Sequence, residues 1–172
     1  MKQSARKCEP HDSSSSSRGL TLVELLVTLV ILSVLASVAM PFAEVAVRRE
    51  KETELHRSLR EIRTAIDRFH DDWTNGDLSK TGEGVSEEGF PQTLDVLVEG
   101  ADSGDAKGTK RRYLRRVPRD PFADPEKKVA DQWTLRGYQD ELDSSSWGGK
   151  DVYDVRTRHQ GEALDGSKFQ DW

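Results

Sequence analysis

Residues 20–40, LTLVELLVTLVILSVLASVAM, contain no Lys, Arg or Asp and a single Glu. A helix needs about 20 predominantly apolar residues to cross the ~30 Å hydrocarbon core of a bilayer, and this run has that length. No other feature constrains the chain as strongly, because the sequence around it is of the opposite character: 33% of the 172 residues are charged. The contrast predicts one membrane-length helix attached to a polar domain. The roughly 130 residues that follow are enough for one modest hydrophobic core.

Glu24 stands just inside the front edge of the apolar run. A carboxylate deep in a bilayer costs roughly 2.5–3.5 kcal/mol on insertion scales, so such a residue is normally paired. Three readings of the segment compete. A secretory signal peptide combines a basic leader, an apolar stretch and small residues before the cut. Ser37-Val38-Ala39 offers such a site, although the apolar stretch exceeds the usual length of about 7–15 residues. A permanent signal anchor would keep the basic leader in the cytoplasm: Lys2, Arg6, Lys7 and Arg18 stand against Glu9 and Asp12. Neither reading accounts for Glu24.

The third does. RGLTLVELLVTLVILSVLASVAMPF, residues 18–42, resembles the amino terminus of type IV pilins and of the pseudopilins of type II secretion. The resemblance implies a cytoplasmic leader, residues 1–19, removed by a prepilin peptidase between Gly19 and Leu20, followed by N-methylation of Leu20. Thr21 and Glu24 continue the pattern, and Glu24 becomes the fifth mature residue. Pro41 becomes the twenty-second, where the family usually carries proline. The implied role of Glu24 is assembly: it meets the terminal amine of a neighbouring subunit in the apolar core of a filament. Removing one member of such a buried pair strands the other. Pro41 lacks an amide proton and clashes with the preceding turn, so a kink or a local opening before it is expected.

Beyond Pro41 the helix is expected to continue over residues 42–73. Leu55, Leu59, Ile62, Ile66, Phe69 and Trp73 recur at alternating steps of four and three, one apolar stripe on a helix. Arg57 with Glu61 and Arg63 with Asp67 stand four apart on the polar faces. Thr74-Asn75-Gly76 supplies a stop suited to left-handed backbone. The rest, residues 74–172, reads as loops and a small sheet. Residues 77–89 form a polar loop, and Pro91 opens a short helix bearing Leu94, Leu97 and Val98. ADSGDAKGTK reads as another polar loop, and Pro118, Pro121 and Pro125 prevent any long helix. DQWTLRGYQD and KDVYDVRT are the strand candidates, joined as an antiparallel hairpin across SSSWGGK. The expected fold class is therefore α+β, a long amino-terminal helix packed on a small antiparallel sheet in the pilin or pseudopilin manner.

The order of these segments also resembles the major pseudopilin of type II secretion, most closely at YLRRVPRDPFADP. The resemblance implies calcium in the carboxy-terminal loop, with Asp165, Asp171 and Asp154 as candidate ligands and Ser167 and carbonyls completing the shell. ALDGSKFQD lacks the spacing and terminal Glu of an EF-hand loop, and the family's usual Ser-Leu-Gly-Ala-Asp-Gly run is missing. The lone cysteine, Cys8, lies in the leader, so an intramolecular disulfide loop like that of classical type IV pilins has no partners.

Residues 107–119 carry Lys107, Lys110, Arg111, Arg112, Arg115, Arg116 and Arg119. In a chain of net charge −5 this band reads as a solvated face or a contact with acidic surface, on the same fold or a neighbour, rather than as a nucleic-acid site. His11, His56, His70 and His159 form no catalytic or zinc-ligating spacing, and no phosphate-binding glycine pattern occurs; an enzyme is not expected. Trp133, Trp147 and Trp172 read as core and lid aromatics. The resemblance implies a single-pass inner-membrane protein with residues 42–172 in the periplasm. Its partners would be copies of itself in a helical filament, other pseudopilins, the prepilin peptidase and the inner-membrane secretion platform. The runner-up readings are a type IV pilus subunit and a monomeric exported or anchored domain.

Overall fold

A computed structural model describes residues 19–105, 108–141, 144 and 146–172, with backbone only at 38–41. Residues 1–18 of the leader expected over 1–19, and Lys107 of the basic band, lie outside the described residues. The chain divides into two compact units, Met1–Ala43 and Glu44–Trp172, and helix α1, Leu22–Asn75, contributes to both.

In the first unit α1 starts at a polar cap. The Thr21 hydroxyl accepts the Glu24 backbone N–H at 3.2 Å, which satisfies one of the orphan amides of a helix start. The helix then exposes its large apolar side chains on every face, from Leu22 and Val23 through Leu32 to Leu35. Its few hydroxyls are satisfied internally. Thr28 donates to the Leu25 carbonyl, Ser33 to Leu29 and Ser37 to Val34, each at 2.8 Å. That is the condition a segment must meet in hydrocarbon, where no water is available to polar groups. The helix continues through Pro41.

In the second unit the apolar stripe of α1 becomes one wall of the core. Leu55, Leu59, Ile62, Ile66 and Phe69 are buried, and Trp73 packs at the edge. α1 stops two residues beyond the expected Trp73. Asp77 donates its N–H to the Asp72 carbonyl at 2.8 Å and Gly76 to Trp73 at 3.2 Å, with Gly76 at φ 82°. This pair of bonds is a Schellman ending, which calls for glycine at the left-handed position.

The opposite wall comes from short elements. Helix α2, Leu94–Glu99, buries Leu94 and Leu97. It starts three residues after Pro91, which was expected to open it. Pro91 instead bridges to Val85, and its carbonyl accepts the Val152 N–H at 2.8 Å. Strands β1, Ala101–Asp102, and β2, Lys110–Arg111, pair antiparallel inside the stretch read as a polar loop. β3, Trp133–Arg136, and β4, Asp154–Thr157, pair antiparallel with Trp133 opposite Thr157 and Arg136 opposite Asp154, the pairing expected from the sequence. The sheet is thus two separate two-stranded ladders. Trp133, Val155 and, just before β4, Val152 enter the core, and Phe169 closes it from a 3₁₀ turn, Phe169–Asp171.

Two buried polar side chains of this wall, Asp120 and Gln132, are paired. Asp120, 4% exposed, accepts the Thr157 hydroxyl at 2.5 Å and the Phe122 N–H at 2.8 Å. Gln132 accepts the Asp120 N–H at 3.2 Å and donates to the Lys127 carbonyl at 3.0 Å. Buried polar atoms left unpaired would each cost roughly 1–3 kcal/mol, so this cluster fixes the irregular, proline-rich segment between β2 and β3.

Candidate functional site

The start of α1 gathers the residues singled out in the sequence. Gly19 is exposed and has open space around it among the described residues: a Cβ there would meet nothing within 4 Å. Leu20 is 73% exposed. Thr21 is the helix cap, and Glu24 is the third residue of the helix, where a carboxylate faces the positive end of the helix dipole. Thr21 and Glu24 therefore have the spacing of a capping box, with the Thr21 half formed. Among the described residues the Glu24 carboxylate has no hydrogen bond and no ion pair. A side chain that caps the helix electrostatically while keeping both oxygens open can receive a cation from outside the chain. The side chain of Pro41 lies outside the described residues.

The three carboxylates considered for a cation are held in different ways. Asp154, at the start of β4, accepts Arg63 Nε on one oxygen at 2.7 Å and Arg136 Nη2 on the other at 3.3 Å. Asp165 turns inward on its own loop, accepting the Ser167 N–H at 2.9 Å and its hydroxyl at 2.6 Å. Those two bonds hold its carboxyl below the usual carboxylate range. Asp171 sits in the 3₁₀ turn and donates its N–H to the Lys168 carbonyl at 3.0 Å. Among the described residues no group of three His, Cys, Asp or Glu side chains is placed to hold a metal ion. Calcium takes six to eight oxygens, and of these three carboxylates Asp154 already carries two guanidinium groups.

The basic band divides in the same way. Arg111 pairs with Asp72 at 2.9 Å and Asp77 at 3.2 Å, fastening β2 to the end of α1. Beside it, the Tyr113 hydroxyl donates to Asp72 at 2.7 Å, and burial together with that carboxylate pushes the phenol well above its ordinary value. Arg112 donates to the Glu99 carbonyl and Arg119 to the Pro125 carbonyl, each at 3.3 Å. Arg115 and Arg116 remain exposed with no ion pair among the described residues.

Sequence reasoning missed the aromatic roles of the histidines. His56 stacks on Trp172 with centroids 3.7 Å apart, His70 on Phe90 at 4.3 Å, and His159 on Phe122 at 4.8 Å. Each partner is remote in sequence, so no local pattern announces the pair. Trp133 is fully buried as expected, and Trp147 donates its indole N–H to the Asp151 carbonyl at 2.6 Å.

A capped apolar helix of membrane length, together with a unit of helix and small antiparallel two-stranded ladders, is consistent with an α+β pilin-like fold. The family comparison agrees: residues 14–40 match the prokaryotic N-terminal methylation motif, the prepilin-type signature of type IV pilin-like proteins. In proteins of that kind the motif implies processing by prepilin peptidase and polymerisation. No curated protein and no solved structure matches the chain.

Proposed function

We propose that this chain is a structural pseudopilin of a type II secretion system, without catalytic activity of its own. It enters the inner membrane with residues 1–19 in the cytoplasm and residues 42–172 in the periplasm. Prepilin peptidase cuts between Gly19 and Leu20, Leu20 is N-methylated, and the mature subunits polymerise through the apolar part of α1 into a periplasmic pseudopilus. The observation that carries this reading is Glu24: a carboxylate with no partner among the described residues, on the first turn of an apolar helix and four residues from the amine that cleavage would create. Methylation keeps that amine cationic, so it remains a partner for Glu24 of the next subunit. The match of residues 14–40 to the prokaryotic N-terminal methylation motif supports the cut after Gly19. A surface pilus would use the same processing. The absence of any cysteine after Cys8, hence of a disulfide loop, favours the secretion filament.

The intact mass and amino-terminal peptide of the protein extracted from its host membranes test the reading. A chain beginning at methylated Leu20 supports it, and one beginning at Met40 or Met1 overturns it. Loss of secreted enzymes without loss of surface pili in a deletion strain would separate the pseudopilus from the pilus.

A further inference from the structure

The carboxy-terminal segment, where the resemblance led to an expectation of calcium, is attached to α1 by four side chains. Arg48 donates to the Glu162 carbonyl and pairs with Glu52 at 3.3 Å. Glu52, 9% exposed, accepts the Leu164 N–H at 3.0 Å. His56 covers the face of the Trp172 indole, 15° from parallel. Arg63 reaches three acceptors at once: Asp154 Oδ1 at 2.7 Å, the Val155 carbonyl at 3.0 Å and the Trp172 carbonyl at 2.7 Å. At 3.6 residues per turn, positions 48, 52, 56 and 63 fall within about 80° of one another around the helix. They form one polar edge beside the apolar stripe.

The segment is also closed on itself. Trp172 donates its indole N–H to the Ser167 hydroxyl oxygen at 2.7 Å, and that hydroxyl donates to Asp165. Ala163 donates to the Ser167 carbonyl at 2.7 Å, Glu162 bridges to Lys168, and Gly166 turns the chain at φ 85°.

We propose that this α1 clasp, formed by Arg48, Glu52, His56 and Arg63, takes the place of a bound calcium ion in ordering residues 161–172. The donor chemistry supports the exchange. A divalent cation at Asp154 would meet two guanidinium groups already on both of its oxygens, and like charges at such distances repel strongly where water is scarce. Asp165 Oδ1 and the Ser167 carbonyl, two oxygens that a calcium shell would draw on, are taken by N–H and O–H donors of the chain. The clasp does for the loop what a cation would do, with charge supplied by arginine side chains.

Amide hydrogen exchange of the full-length chain in detergent, read by mass spectrometry in millimolar calcium chloride and in EGTA, tests this. Protection of residues 161–172 should agree within about twofold between the two conditions, since the ordering free energy comes from the protein. Glu52→Ala, His56→Ala and Arg63→Gln should each lower that protection by about tenfold in both conditions, with the amides of residues 55–69 keeping theirs. Loss of wild-type protection in EGTA overturns the proposal, as does restoration of the variants by calcium. Unchanged protection in all three variants overturns it equally.

Discussion

The imidazole of His56 lies parallel to the indole of Trp172, 3.7 Å between centroids, although 116 positions of sequence separate them. The stack ties the last residue of the sequence to the middle of α1. Aromatic pairs of this kind are worth about 0.5–1.5 kcal/mol beyond the area they bury. His56→Ala should lower stability by about that amount in thermal or urea unfolding, and His56→Phe should recover most of it. Equal loss in both variants would mean that the ring face is not what Trp172 uses.

Glu24 acts after cleavage on the present reading. Glu24→Ala should therefore be processed and methylated at Leu20 as the wild type is, yet assemble poorly, because a buried ion pair broken on one side costs about 3–5 kcal/mol. Sedimentation of sheared filaments, quantified beside the mass of the processed monomer, separates the two steps. Wild-type filament yield from the variant would remove the charge pairing from the mechanism.

Gly89 has φ 82°, and a Cβ at this position would lie 2.3 Å from the Trp73 indole. Backbone strain of this kind costs about 1–3 kcal/mol for a residue with a side chain, before the indole moves. Gly89→Ala should thus lower the unfolding midpoint clearly. Gly149→Ala, also at positive φ but with open space around it, should show the backbone cost alone. A smaller effect at Gly89 than at Gly149 would contradict the packing.

Asp151, 3% exposed, is pushed above the ordinary carboxylate value chiefly by burial, with Glu88 and Asp140 adding to the effect and the Tyr138 N–H opposing it. A raised folded-state value means that folding favours the protonated form. This contribution is fully present below the unfolded value, near 3.9, and is lost as pH rises through the folded value. Asp140 is the opposite case: N–H groups of Gly137 and Gly148 lower its value, so its contribution is lost as pH falls below the usual carboxylate range. Asp151→Asn should accordingly raise stability at neutral pH relative to wild type, with the advantage shrinking on acidification toward pH 4. Urea unfolding midpoints from about pH 4 to 7 measure it, and a constant difference across that range would refute the assignment.

Local features were legible in the sequence. The apolar run and the offset carboxylate at Glu24 lie within one short segment, and the stripe from Leu55 to Phe69 repeats every three to four residues, where helical periodicity writes it directly. β3 and β4 were legible because Trp133, Thr134, Val155 and Thr157 combine aromatic and β-branched character. β1 and β2 were not: two-residue strands carry no alternation, and Lys110 and Arg111 are exposed on both faces. Pro91 misled for a tertiary reason, since its carbonyl is taken by Val152. The same holds for Asp154, whose arginines come from α1 and β3, and for His70, whose ring partner Phe90 sits beyond a loop. Charge pairs and stacks assembled across the fold leave no spacing to read.

The helix face bearing Leu55, Leu59, Ile62, Ile66 and Phe69 is used up within its own chain. Any surface that this part of α1 offers to another molecule must come from its charged sides, where residues such as Arg57, Arg60 and Asp67 stand exposed. The two sets of positions share no side chain. Substitutions at those exposed charges can therefore change what the helix presents outward while the interior stays as it is.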